Sequence, residues 1–153
     1  MRMKLALSLA LSHHADLLIM DEPTSGLDPL VRSELLDTLL EYMKTGDKCV
    51  LFSTHIVSDL ERVADALIFI DQGEIILQED KDVLLDTHRI VKGDRDKLSE
   101  QTRTLFMDLR QTAYGFEGLT DDAEAVRRQI PDALIERASI EDIFLGYTRR
   151  CMA

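Results

Sequence analysis

The spacing of apolar residues changes along the chain, and each change marks an element. In residues 1–14, Leu5 and Leu9, with Ala6 and Ala10 beside them, recur every four residues, which predicts a helix ending near His13 and His14. Residues 17–20 are an unbroken Leu-Leu-Ile-Met run, apolar on both sides as in a buried strand. Asp28-Pro29 supplies an N-cap and an N1 proline, and Leu35, Leu36, Leu39, Leu40 and Met43 set out one helical face. Gly46 is expected to close that helix as its C′ residue. Cys49-Val50-Leu51-Phe52-Ser53 predicts a second buried strand, followed after Thr54-His55 by a short helix with Ile56, Leu60 and Val63 inward. Residues 66–70 and 74–78 flank Asp71-Gln72-Gly73 and read as a hairpin. Buried strands alternating with helices predict a parallel α/β layer up to about residue 65.

Beyond residue 87 the pattern predicts a strand at 88–92, a helix at 95–101, strands at 105–109 and 115–119, a helix at 121–129 and a strand at Leu134–Arg137. That β-α-β-β-α-β order is the order of a ferredoxin-like unit. Ser139-Ile140-Glu141 then opens a terminal helix through Tyr147. The expected architecture is α/β over 1–86, followed by a small α+β domain over 87–153.

Composition narrows the function. A chain of 153 residues holds one ordinary domain or two small ones, and 45% apolar with 31% charged residues describes a globular protein. The apolar runs are too short to span a bilayer, and no signal peptide opens the chain. Cys49 and Cys151 sit in unrelated contexts, so no structural disulfide is expected and a reducing cytosol fits. The net charge of −11 argues against nucleic acid as a partner. Of the 18 basic and 29 acidic residues, 7 and 17 fall in residues 1–86 and 11 and 12 in residues 87–153, giving −10 and −1. The acidic excess therefore lies almost wholly in the first part, which reads as a lobe without its cationic share.

The chemistry concentrates where the first strand ends. An apolar strand that projects an Asp from its C-terminal end is the form of a Walker B element, with Asp21 placed for Mg²⁺ and Glu22 for the attacking water. The bland reading of Asp21-Glu22 alone is a solvated acidic turn. The continuation Pro23-Thr24-Ser25-Gly26-Leu27-Asp28-Pro29 removes most of that ambiguity. With it, the run from Leu17 to Pro29 resembles the ATP-binding subunits of ABC transporters, at the Walker B strand and D-loop. Thr54-His55 matches the family's switch histidine, and Val63-Ala64-Asp65 and Ile70-Asp71-Gln72-Gly73-Glu74 match the segment after it. The resemblance covers about residues 1–86. Arg89 to Gly93, Tyr114 to Leu119 and Ser139 to Phe144 are similar, less specifically, to C-terminal extensions of bacterial exporter-type subunits.

The resemblance implies part of a P-loop NTPase sheet, ATP and Mg²⁺ as cofactors, and hydrolysis driving a membrane permease. Asp21 would hold Mg²⁺ through water, Glu22 would act as general base, and His55 would sense the γ-phosphate. Ser25, Gly26, Leu27 and Asp28 would couple to a second ATP-binding subunit, with Asp28 also capping its helix. The place of work would be the cytoplasmic face of the membrane, through the permease. No Gly-x-x-x-x-Gly-Lys-Ser/Thr pattern occurs in the 153 residues, nor do the glutamine loop and signature motif. Residues 1–7 resemble the helix that follows the signature, so the chain is expected to begin just inside it and to be inactive alone. The open strand edge and apolar face this leaves predict self-association or a rearranged sheet.

Two other readings stay open: an ABC-type ATPase without a membrane partner, favoured by ribosome or DNA association, and an interaction or dimerisation module centred on residues 87–153, favoured by independent folding of that segment. His13, His14 and His88 are expected at the surface. Phe106, Tyr114, Phe116, Phe144 and Tyr147 are expected in a small second core, and the Arg127-Arg128 and Arg149-Arg150 pairs on solvated faces.

Overall fold

The computed structural model describes residues 2–13, 15–44 and 46–152. The chain divides into two compact units, Met1–Ala64 and Asp65–Ala153. The first contains α1 (Arg2–Ser12), β1 (Leu17–Asp21), α2 (Pro29–Met43), β2 (Cys49–Ser53) and α3 (Val57–Val63). β1 and β2 pair in parallel, from Leu17 opposite Cys49 to Asp21 opposite Ser53. Strand alternation sends Met20, Val50 and Phe52 to one side, where they pack with Leu35, Leu36 and Leu39 of α2 and Val63 of α3.

The opposite side of this pair corrects the expectation of fully buried strands. Leu17, Ile19 and Leu51 are exposed, Ile19 by 71%, because the helices cover one face only. In α1 the Leu5 and Leu9 stripe is exposed, and Leu7 packs on the core instead. His13 is exposed as expected, and His14 lies outside the described residues. Asp28 caps α2, its side chain accepting the Val31 N–H at 3.1 Å, with Pro29 in the first turn. Such a cap contributes about 1 kcal/mol. The C-cap is Lys44, so Gly46 stands one place beyond the expected C′ position. In α3 the buried residues are Asp59 and Val63, while Ile56 and Leu60 are half-buried.

The second unit begins with the hairpin of β3 (Ala66–Asp71) and β4 (Glu74–Asp80). Positive φ at both Gln72 and Gly73, +47° and +85°, makes the connection a type I′ turn, whose twist matches that of the strands. A helix absent from the sequence reading follows, α4 (Lys81–Thr87). Then come β5 (Arg89–Gly93), a 3₁₀ turn (Arg95–Lys97), α5 (Glu100–Arg103), β6 (Asp108–Thr112), β7 (Gly115–Thr120), α6 (Ala123–Gln129), β8 (Leu134–Arg137) and α7 (Ile140–Met152). The last four strands form one sheet in the order β6-β7-β5-β8, with every neighbouring pair antiparallel. Val91, Phe116, Val126 and Ile130 form its buried cluster.

The single helix expected at 95–101 is split, because the capping box between Ser99 and Thr102 restarts the backbone as α5. The strand expected at 105–109 begins at Asp108, since the Leu105 and Phe106 amides bond back to Thr102 and Arg103. Phe106 and Phe116 meet edge-on at 5.6 Å, as do Phe144 and Phe69 at 5.2 Å. Tyr114 departs from the expected core, standing 96% exposed between β6 and β7. His88 is the opposite correction, only 4% exposed. Its Nδ1 donates to the Leu84 carbonyl at 3.0 Å and its Nε2 lies 3.3 Å from the Tyr147 hydroxyl. The arginines of both pairs are exposed; Arg127 meets Glu124 at 3.2 Å and Arg149 meets Asp108 at 2.8 Å.

Candidate functional site

Parallel pairing brings the C-terminal ends of β1 and β2 together, and with them three of the expected site residues. Asp21 stands opposite Ser53, whose hydroxyl donates to Asp21 Oδ1. One residue further, Glu22 adopts a left-handed backbone with φ +46°. A residue with a side chain in that region costs on the order of 1–3 kcal/mol, and such strain gathers at functional sites. The Glu22 N–H donates to the Ser53 carbonyl at 3.0 Å, which continues the pairing past the strand ends.

The Glu22 carboxylate is then taken up by the loop after β2. Its Oε1 accepts from the His55 N–H at 3.0 Å and lies 2.7 Å from His55 Nδ1, while Oε2 accepts from the Thr54 hydroxyl at 3.3 Å. With Nδ1 so engaged, Nε2 is the ring nitrogen left to face a ligand, on a side chain 72% exposed. The hydrogen bond from the His55 ring is the main reason that the Glu22 carboxyl is held below the ordinary glutamate range; the His55 amide, its charge and Thr54 act in the same direction, against partial burial.

Protonating Glu22 removes the charge that strengthens these bonds and puts a proton on one of the two accepting oxygens. The tie between the two loops is therefore complete above the ordinary glutamate value and weakens as pH falls through the lower, folded value. A carbon-detected NMR titration should place the Glu22 midpoint below the ordinary range and show it moving up in His55→Ala. An unchanged midpoint in that variant would refute the pairing.

The loop after Glu22 is a sequence of short turns. Ser25 N–H bonds the Glu22 carbonyl and Leu27 N–H the Thr24 carbonyl, both at 3.2 Å. Gly26 takes φ +70°, which favours glycine at this position. Ser25 and Gly26 are exposed, Leu27 packs on the core, and Asp28 spends Oδ1 on its cap. No hydrogen bond joins the Ser25 or Asp28 side chains to Glu22 or His55 among the described residues. The structure thus gathers Asp21, Glu22 and His55, and sets Ser25 to Asp28 on the adjoining loop.

Three residues of this site escaped the sequence reading. Thr24, 1% exposed, donates its hydroxyl to Asp59 Oδ2 at 2.5 Å. Asp59 is fully buried, and Arg32 Nε donates to its Oδ1 at 2.6 Å, with a second guanidinium nitrogen at 2.5 Å. Arg32 also donates to the Ser58 hydroxyl at 2.6 Å. A signal was present: Asp59 precedes Val63 by one helical turn, so it shares the inward face, and a buried carboxylate needs a cation. Arg32 is the one basic residue between positions 5 and 43.

Among the described residues no group of three or more His, Cys, Asp or Glu side chains is placed to hold a metal. Magnesium bound with a triphosphate takes most of its ligands from phosphate and water and needs as little as one carboxylate. Asp21, exposed and with Oδ1 alone engaged by Ser53, fits that requirement. Among the described residues no helix is long and apolar enough to cross a membrane.

A family model described as "AAA domain, putative AbiEii toxin, Type IV TA system" matches residues 2–58. The Nod factor export ATP-binding protein I of Bradyrhizobium diazoefficiens is 32% identical over 99% of this chain and 53% of its own length. That of Rhizobium johnstonii is 33% identical over 99% of this chain and 52% of its own length. The ABC transporter ATP-binding protein NatA of Bacillus subtilis is 35% identical over 58% of this chain and 36% of its own length. The chain spans about half the length of the curated relatives it matches over nearly all its residues.

Proposed function

Because this chain belongs to the family of ABC transporter ATP-binding proteins, we propose that it carries the water-activating half of an ATP-hydrolysing site that works on a membrane permease. The observation that carries this reading is the Glu22–His55 pair, held where two adjacent parallel strands end. In α/β sheets of this kind ligands bind outside the carboxyl ends of the strands.

In this reading Glu22, ionised and oriented by His55, takes the proton of the attacking water as general base. His55 presents Nε2 to the terminal phosphate and links its position to that of Glu22. Asp21 holds Mg²⁺ through water, and bound Mg²⁺ supplies charge neutralisation on the phosphate oxygens. Ser25, Gly26, Leu27 and Asp28 face a second ATP-binding subunit. The work is done at the cytoplasmic face of the membrane, through the permease, and nucleic acid is not a partner.

Residues 1–86 supply the ATPase part of this arrangement and residues 87–153 an accessory domain. A ferredoxin-like assignment for that domain draws support from the order β6-β7-β5-β8, in which the first and third strands of the β-α-β-β-α-β unit lie side by side. The open face at Leu17, Ile19 and Leu51 supports self-association of the 153-residue chain.

The 153 residues contain no Gly-x-x-x-x-Gly-Lys-Ser/Thr loop to cradle phosphates, so this polypeptide by itself is expected to bind Mg-ATP weakly or not at all and not to hydrolyse it. Calorimetric titration of the chain beside Glu22→Gln, with the mass of each sample read by light scattering, tests this. Absent heat supports the reading. Saturable heat with hydrolysis above the Glu22→Gln control would overturn the inactivity, and a mass that is a multiple of 17.4 kDa would identify a second copy as the completing part.

A further inference from the structure

Thr24 and Asp59 join the same two loops that carry Glu22 and His55. Thr24 follows Glu22 by two residues and Asp59 follows His55 by four. The left-handed backbone of Glu22 persists only if its surroundings over-determine it. On the strand side it is fixed by the hydrogen bond to the Ser53 carbonyl at 3.0 Å. On the other side Pro23 and Thr24 are both buried, and the Thr24 hydroxyl reaches α3 through its 2.5 Å bond to Asp59. Asp59 is itself immobilised, with no exposed surface and its second oxygen held by Arg32.

We propose that Asp59 is a positioning residue for the Glu22–His55 pair: by holding the Thr24 hydroxyl from α3, it locks the left-handed turn that aims the Glu22 carboxylate at His55. Thr24 has one proton to give, and Asp59 is an acceptor with no solvent to compete for it. Arg32 fixes Asp59 from α2, so the turn is referred to α2 as well as to α3. Freed of the Thr24 tie, the turn can relax out of the left-handed region, and the Glu22 carboxylate then swings away from the His55 amide. The functional meaning of this lock rests on the proposed role of Glu22 and His55; its geometry does not, and neither does the test.

The test uses the isotope-labelled 153-residue chain and needs no nucleotide. Thr24→Val keeps the shape of the side chain, removes its hydroxyl and leaves the Arg32–Asp59 pair in place; Thr24→Ser keeps the hydroxyl. The amide coupling and Cα shift of Glu22 report the sign of φ, and hydrogen exchange at His55 reports the bond to Glu22. In Thr24→Val the positive-φ signature of Glu22 should be lost and His55 exchange should accelerate about tenfold, the scale of one hydrogen bond. Exchange along the β1–β2 ladder should stay within about twofold, as expected for loss of a local tie, and Thr24→Ser should behave as the unsubstituted chain. Unchanged Glu22 and His55 signals in Thr24→Val would overturn the proposal. So would equal acceleration at His55 and along the ladder, or unfolding, since either makes the Thr24–Asp59 bond a general staple. Loss of hydrolysis or binding in any assembled ATPase bears on the proposed function and not on this lock.

Discussion

Exchanging Glu22 for Gln in an assembled site that includes a phosphate-binding loop is expected to lower ATP hydrolysis by about 10²- to 10⁴-fold, the range for losing a general base. The argument is one of charge rather than shape. Gln retains an oxygen that can accept from the His55 N–H, now at 3.0 Å, so the loop geometry should survive. It cannot take a proton from water. Nucleotide binding should stay within a few-fold, because no part of the phosphate grip runs through Glu22 in the proposed site. Single-turnover phosphate release measured beside equilibrium binding separates the two effects. A loss of turnover below about threefold would remove Glu22 from the role of base.

Arg32→Met should be the most destabilising change in the first unit. It strips the cation from a carboxylate that has no exposed surface, leaving Thr24 as its remaining side-chain partner. Uncompensated buried charges of this kind cost about 3–5 kcal/mol. A unit of the size of Met1–Ala64 has a total stability of roughly 3–10 kcal/mol at 0.05–0.15 kcal/mol per residue, so most of it is at stake. Urea unfolding followed on β1 and β2 amides measures the loss. The double change Arg32→Met with Asp59→Leu removes both charges and should recover much of it, because the two residues form one interacting unit. A loss of less than about 1 kcal/mol in the single variant would show that Asp59 finds another partner or a proton.

Much of this architecture can be read from local signals. The N-cap Asp28 with Pro29, the turn glycine Gly73 and the apolar stripe of α2 are decided by residues within a few positions of one another, and each lies where the sequence places it or within a residue of it. The gathering of Asp21, Glu22 and His55 also follows from order alone, since residues at the ends of paired parallel strands must meet. What local reading misses depends on what covers a surface. Leu17-Leu18-Ile19-Met20 looks the same whether one face or two are covered, and here Leu17 and Ile19 are open. His88 looks like any polar residue between a helix and a strand until Tyr147, far along the chain, closes over it. The Thr24–Asp59–Arg32 cluster is of the same kind, three polar residues whose meaning appears only once α2, α3 and the turn are side by side.

That cluster also limits how such a chain can change over generations. A lineage that alters position 24 or 32 alone must pass through a form with a buried carboxylate short of one partner, and one that alters position 59 alone leaves the buried Thr24 hydroxyl without its acceptor. Viable histories therefore run through paired replacements, or through a first change that shields the charge before the second arrives. Engineers who graft this turn and its carboxylates into another scaffold face the same constraint. The portable block is not the contiguous stretch from Asp21 to Asp28 but that stretch together with two residues from neighbouring helices.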